Sequence, residues 1–401
     1  MLQLTSAVVD TIVEERSGIQ FVSVILDGKT NAEIAYYLTA QQGRCQVGDH
    51  VLVNTTAVDL GLGTGGYHII VTRLDENEKV DMHPTRWGHI MKMRYTPLQL
   101  AVDAIEEQNS PFHHLFTEEN GHLKGTIVLI GELHAYLPVV ALVLKKLNPD
   151  LRLVYVMPDS ASLPIAISQH VNHLREMEIL SSCITVGHAW GGEIEAVNLY
   201  TGLLAARHVA KADVILCMFG PGVVGTGTTF GFSGAELADV IHAVSALGGI
   251  PVVIPRISFS DQRKNHFGIS HHTRTLLQRL VFRQVFVPLP VFGDWRDQVI
   301  QVQATECRRT IQHGILSSSV PPITELAKLQ KKYPIPITTM GRDIYQDSSP
   351  FQTGYIAAKT ARKLHAILEN NRQEIISASS TGQDVLATLA RLWDARTNDE
   401  V

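Results

Sequence analysis

The sequence has little of what usually identifies a protein at sight. Four cysteines in 401 residues, Cys45, Cys183, Cys217 and Cys307, stand far apart with no C-x-x-C pair. That spacing excludes a disulfide framework and leaves a reducing compartment as the simplest account. No apolar run approaches the length of a bilayer span, and the N-terminus has no basic segment leading into an apolar one. Neither a membrane-spanning helix nor a secretory signal is therefore expected, and the reading is cytoplasmic. Positive charge is also short: 34 Lys and Arg against 39 Asp and Glu give a formal net charge of −5. Nucleic acid and membrane are not expected partners. The P-loop, the G-x-S-x-G elbow and H-E-x-x-H are all missing, as are internal repeats and low-complexity tracts.

What is present is globular, 45% apolar and 18% charged, and long enough for two or three domains. Residues 1–95 hold short β-like runs at Thr11 to Glu15, Ile19 to Leu26, Ala32 to Leu38, Val51 to Asn54 and Tyr67 to Arg73, with turn signals between them. They predict a small β-barrel-like domain. Residues 96–345 open with a helix predicted over Leu98 to Gln108 and then alternate apolar strands with helical stretches. The strands are Thr126 to Ile130, Arg152 to Met157, Cys183 to Val186, Val214 to Phe219, Pro251 to Pro255, Val285 to Pro288 and Ile335 to Thr339. Helices are expected near Leu137 to Leu147, Leu163 to Met177, Glu193 to Val209, Ala235 to Leu247 and His271 to Leu280. That alternation specifies a Rossmann-like α/β domain, a mostly parallel open sheet with helices on both faces. Residues 346–401 read as two helices that pack on this domain or on a partner subunit, and base rates favour a homodimer.

The stretch Asp213 to Gly234 organises the chain. An apolar strand breaks into Gly220, Pro221, Gly222, Gly225, Thr226, Gly227, Thr228 and Thr229, and Ser233 with Glu236 forms a capping-box pattern for the next helix. Unobstructed backbone N–H groups and a helix N-terminus suit a phosphate or carboxylate. Close strand–helix packing accounts for the same glycines.

Ligands of open α/β sheets lie beyond the carboxyl ends of the strands, and polar residues recur there. Glu132 and His134 follow the first strand, His188 the third, Asp261, Arg263, Lys264 and His266 the fifth, and Arg342 the last. Arg263, Lys264 and Arg342 are candidates to neutralise an anion, and His188, His134 and Glu132 to move a proton. Solvated charges and histidines satisfied by backbone groups remain the plain alternatives. Glu132, His134, His188, Asp261, His266, His271 and His272 offer metal-ligand atoms, but not at ligand spacing. His271 and His272 are neighbours that diverge by about 100° on a helix, so no metal is expected and no cofactor is specified.

NTTAVDLGLGTGGYH from Asn54 to His68, GELHA from Gly131 to Ala135 and FGPGVVGTGT from Phe219 to Thr228 together resemble an uncharacterised bacterial family, a domain of unknown function. The likeness runs to about residue 355 and implies no activity. The leading expectation is an enzyme that binds a phosphorylated or other anionic small molecule, such as a nucleotide, at the sheet edge. A non-catalytic ligand sensor or assembly protein and a metal-assisted hydrolase are the rivals.

Overall fold

Alternating burial closes the N-terminal segment on itself. In this computed structural model, which describes residues 2–62, 65–74, 85–307, 311–371 and 382–398, strands β1 (Leu4–Arg16), β2 (Ile19–Leu26), β3 (Ala32–Tyr37), β4 (His50–Asn54) and β5 (His68–Arg73) form a closed barrel in the order β1-β2-β3-β5-β4. Val9, Val22, Val24, Tyr37, Val51, Val53 and Ile70 fill it. Register shifts after Val9 and Ile12 bend β1 so that one long strand pairs with both β2 and β4. Of the glycine-rich connection Asn54 to Gly66, residues 56–59 make one helical turn, across which the Thr55 hydroxyl donates to the Asp59 carboxylate at 2.6 Å. Gly63 and Thr64 lie outside the described residues.

Two compact units result, Met1–Arg86 with Arg94–Leu100, and Trp87–Met93 with Ala101–Val401. In the second, β6 (Ile127–Gly131), β7 (Leu153–Met157), β8 (Ser182–Thr185), β9 (Ile194–Glu195), β10 (Val214–Met218), β11 (Ile250–Ile254), β12 (Phe286–Val291) and β13 (Gly314–Ser319) make an eight-stranded parallel sheet in the order β9-β8-β7-β10-β6-β11-β12-β13. Every residue of β6, β7, β10 and β11 is buried, as continuous Val, Ile and Leu runs require when both faces are covered. One face carries α1 (Tyr136–Leu147) and α2 (Gln169–Glu176). The other carries α3 (Leu199–His208), α4 (Leu237–Ala246), α5 (His271–Thr275, continued by the π turn Leu276–Leu280) and α6 (Arg296–Cys307). Helix α7 (Ile323–Lys332) and the long α8 (Ser348–Asn370) join the first face, and α9 (Gly382–Asn398) packs on α8.

Some expected elements differ. Leu98 to Gln108 is not a helix: Leu100–Val102 is a short strand. The residues after it are held by side chains, Asp103 accepting from Trp87 and Gly88 N–H and Glu107 from His89 and Ala104 N–H. Such carboxylate bonds compete with a helical ladder. Ile335 to Thr339 is not the last strand either, because the Gln330 amide bonds the backbone of Ile335 and Ile337. The edge position belongs to Gly314–Ser319, whose polar, partly exposed residues carry no buried-strand signal. Helix α3 begins only at Leu199, behind an Asn198–Thr201 capping box, and Ile194–Glu195 extends the sheet.

Candidate functional site

The topology reverses around β6. Helix α1 leaves β6 for one face, whereas α4 and α5, which follow the neighbouring strands β10 and β11, pack on the other. A crevice at such a switch point is where open α/β sheets bind ligands. Three segments meet there: Glu132 just past β6, the Gly220–Ser233 loop past β10, and Arg256 to His272 past β11.

Glu132 is 4% exposed. Its Oε1 accepts from His272 Nδ1 at 2.6 Å and pairs with Arg256 at 3.4 Å. Burial by itself would raise this carboxyl, but the His272 hydrogen bond and the charges of Arg256, His272 and His266 hold it below its ordinary range. Glycines press against the pair: a Cβ on Gly234 would sit 3.0 Å from the Glu132 carboxylate, and one on Gly225 3.3 Å from His272 Nε2. Phe232 covers the His272 ring from the same loop.

His272 has two imidazole neighbours. The rings of His266 and His271 lie 4.9 and 4.4 Å from its own, and 4.8 Å from each other. One ring nitrogen from each of the three histidines falls within 4.8 Å of the others. His266 Nδ1 bonds Ser270 Oγ at 2.8 Å, and Ser270 caps α5 by accepting from His272 N–H. The Nε2 of His271 is buried and makes no hydrogen bond among the described residues. Burial, helped by the charges of Arg256, Arg263 and His272, pushes His266 down to about 4; burial with His272 and Arg274 lowers His271. The segment is a short antiparallel ribbon, Ile257–Ser258 against Gly268–Ile269. Gln303 of α6 clamps it, accepting from Ile269 N–H at 2.6 Å and donating to Phe267 C=O at 3.0 Å.

The anticipated cations are largely committed. Arg263 grips Asp261 through Nε and Nη2 at 2.9 and 2.7 Å, and Arg342 stands 3.6 Å from both Asp261 and Asp347. The Arg263 hydrogen bond drives Asp261 well below the carboxylate range, whereas burial raises Asp347, whose Oδ2 accepts from Ser258 Oγ at 2.5 Å. Lys264 is exposed. The loop itself is exposed from Gly225 to Gly231 and bonds inward: Thr226 and Thr228 hydroxyls meet at 2.9 Å and tie Gly231. Gly222 and Gly227 hold positive φ, and Gly220 packs beside Leu163 and Met157. The Ser233 capping box does not form, because the Ser233 hydroxyl accepts from Val224 N–H instead. Burial and the nearby Asp159 and Asp239 raise Glu236.

His134 and His188 stand apart from the trio. His134 bonds Phe219 C=O at 2.9 Å and Ser168 Oγ at 2.6 Å on the α1–α2 face, and burial pushes it down to about 4. Two residues apart on one loop, Glu132 and His134 point to different partners. His188 Nδ1 accepts from Met93 N–H and its own N–H donates to Asp159. Close by, the buried Lys92 reaches Thr185 C=O, Ala189 C=O and Glu195 at 3.1, 2.7 and 2.7 Å. Sequence reasoning did not single out Arg256 or Phe232. The one available signal was a charged residue set between Pro255 and Ile257 in an otherwise apolar run.

A family model described as "Protein of unknown function (DUF3866)" matches residues 34–358. No curated protein matches the chain. Among the described residues no helix is long and apolar enough to cross a membrane.

Proposed function

The chain belongs to the DUF3866 family, and we propose that it is an enzyme acting on a phosphorylated or otherwise anionic small molecule, nucleotides among them, at the carboxyl-terminal rim around β6. The observation that carries this reading is the buried Glu132–His272 pair, 2.6 Å apart at the topological switch point. A carboxylate fixing an imidazole in one orientation, with a cation beside it and glycine backbone against both, is an arrangement for reaction chemistry. Solvating a surface needs none of it. Lys264 and the exposed Gly225 to Thr228 stretch of the loop are the groups that meet the anion, and Phe232 shields the imidazole. The four free cysteines fit a reducing, cytoplasmic setting, and we expect a homodimer without nucleic-acid or membrane partners.

A thermal-shift panel of nucleotides, sugar phosphates, inorganic phosphate and carboxylates tests this. A ligand present at 100 times its Kd stabilises the native state by about 2.7 kcal/mol, and Glu132→Gln should retain the fold while losing turnover of whichever compound responds. Silence across the panel would transfer the rim to a non-catalytic sensing or assembly role.

A further inference from the structure

We propose that His266, His271 and His272 form a binding site for a divalent transition-metal ion of the zinc type, with the remaining coordination position open to an oxygen of the anionic ligand. The inference rests on reading the rim as the reaction site and adds to it the ion and the way the anion is held.

The nitrogen bookkeeping points to one species. His272 Nδ1 is taken by Glu132 and His266 Nδ1 by Ser270, so each leaves Nε2 as its unused atom. The unused nitrogen of His271 is also Nε2, buried and without a hydrogen bond among the described residues. Buried polar atoms are rarely left in this way, and one that is needs a physical reason. An ion supplies it. Three imidazoles with an open fourth position make a catalytic zinc arrangement, and imidazole suits zinc, copper, nickel and iron. One ring nitrogen of each histidine lies within 4.8 Å of the others, against roughly 3.4 Å between ligands around a tetrahedral ion at about 2.1 Å, so loading requires the farthest pair to close by at most roughly 1.4 Å.

Two further features fit. A metal-bound histidine almost always donates its other N–H to a carboxylate or similar acceptor, which sets its tautomer; Glu132 and Ser270 stand in that place behind His272 and His266. The charges of the rim also cancel: Arg256, Arg263 and Arg342 pair with Glu132, Asp261 and Asp347. An anion therefore gains little from these arginines, and a dication provides the positive charge that they do not.

The test is isothermal titration of the full chain, stripped with chelator, with Zn2+ alone, together with visible spectra of Co2+ titrations. One ion per chain and a tetrahedral cobalt spectrum are expected. His266→Ala and His272→Ala should each weaken binding by more than 100-fold, and Glu132→Gln by about 10- to 100-fold through its histidine. His173→Ala, on α2, should leave it unchanged, and circular dichroism checks that each variant is folded. No binding by the wild-type chain, or binding that survives both His266→Ala and His272→Ala, overturns the proposal. Inorganic phosphate stabilising the stripped protein while zinc fails to bind would sink the metal and keep the anion site. Zinc binding with no response to phosphate in either form would do the reverse.

Discussion

The ring of Phe232 lies flat against the imidazole of His272, centroids 4.1 Å apart and planes 7° from parallel. Phe232 is 6% exposed, so its removal opens a cavity beside the pair that defines the rim. Phe232→Ala should destabilise by about 3 kcal/mol or more. Phe232→Leu, which keeps the apolar fill and loses the stacking, should cost about 1 kcal/mol. Chemical denaturation of both variants measures the difference, and a Phe232→Leu protein as stable as wild type would show that ring stacking contributes nothing beyond volume.

Gly234 and Gly227 separate close approach from backbone conformation. A methyl group on Gly234 would press on the Glu132 carboxylate at 3.0 Å, whereas one on Gly227 meets nothing within 4 Å but forces a side chain onto a φ of +77°. Gly234→Ala should lower ligand or zinc affinity at least tenfold by displacing Glu132. Gly227→Ala should cost about 1–2 kcal/mol of stability through left-handed strain alone. A Gly234→Ala protein with undiminished affinity would remove Glu132 from the site.

Lys92, 1% exposed, is a structural cation. It satisfies two carbonyls and Glu195 at once, and burial raises Glu195 even against Lys92. Lys92→Met leaves that carboxylate largely buried without a counter-charge, held by Thr185 Oγ1 and Gly191 N–H, at a cost of about 3–5 kcal/mol, whereas the double change with Glu195→Gln should recover much of the loss. Melting curves of the single and double variants decide.

His134 gives the protein an acid-side weakness. Its folded pKa, about 4, lies below the ordinary 6.5 because burial disfavours the charged ring. The unfolded chain therefore binds the proton first, so the stability from a neutral His134 is complete above pH 6.5 and drains away as pH falls towards 4. Neighbouring His170, pushed by burial to about 3, acts in the same direction. Wild type should lose on the order of 2 kcal/mol more than His134→Gln over that interval. Parallel pH profiles would refute this.

Much of the architecture was legible because buried parallel strands are written as unbroken apolar runs. Val214 to Met218 and Ile250 to Ile254 stand out in the sequence and are wholly buried in the sheet. The edge strand Gly314–Ser319 was not legible, since its serines face partly outward and leave no pattern to find. Nor was α6, whose RDQVIQVQATEC spreads its apolar residues around the helix. At the site, the types were visible and their meeting was not. His271 and His272 diverge on an ideal helix, yet they occupy its first turn, where the His266 ring approaches both. The committed state of Arg342 was equally hidden, because its partner Asp261 lies 81 residues before it, although Arg263 grips the same carboxylate from only two residues away. Sequence distance conceals such pairing until the fold closes.

The clamp made by Gln303 has its own consequence. Among the described residues the ribbon bearing His266 and Ser270 has two strands, and a carboxamide from α6 stands in for a third by meeting both an N–H and a C=O of the ribbon backbone. A shift or fraying of that helix would therefore move the ribbon that carries His266 and Ser270, and with it the spacing of the three imidazoles.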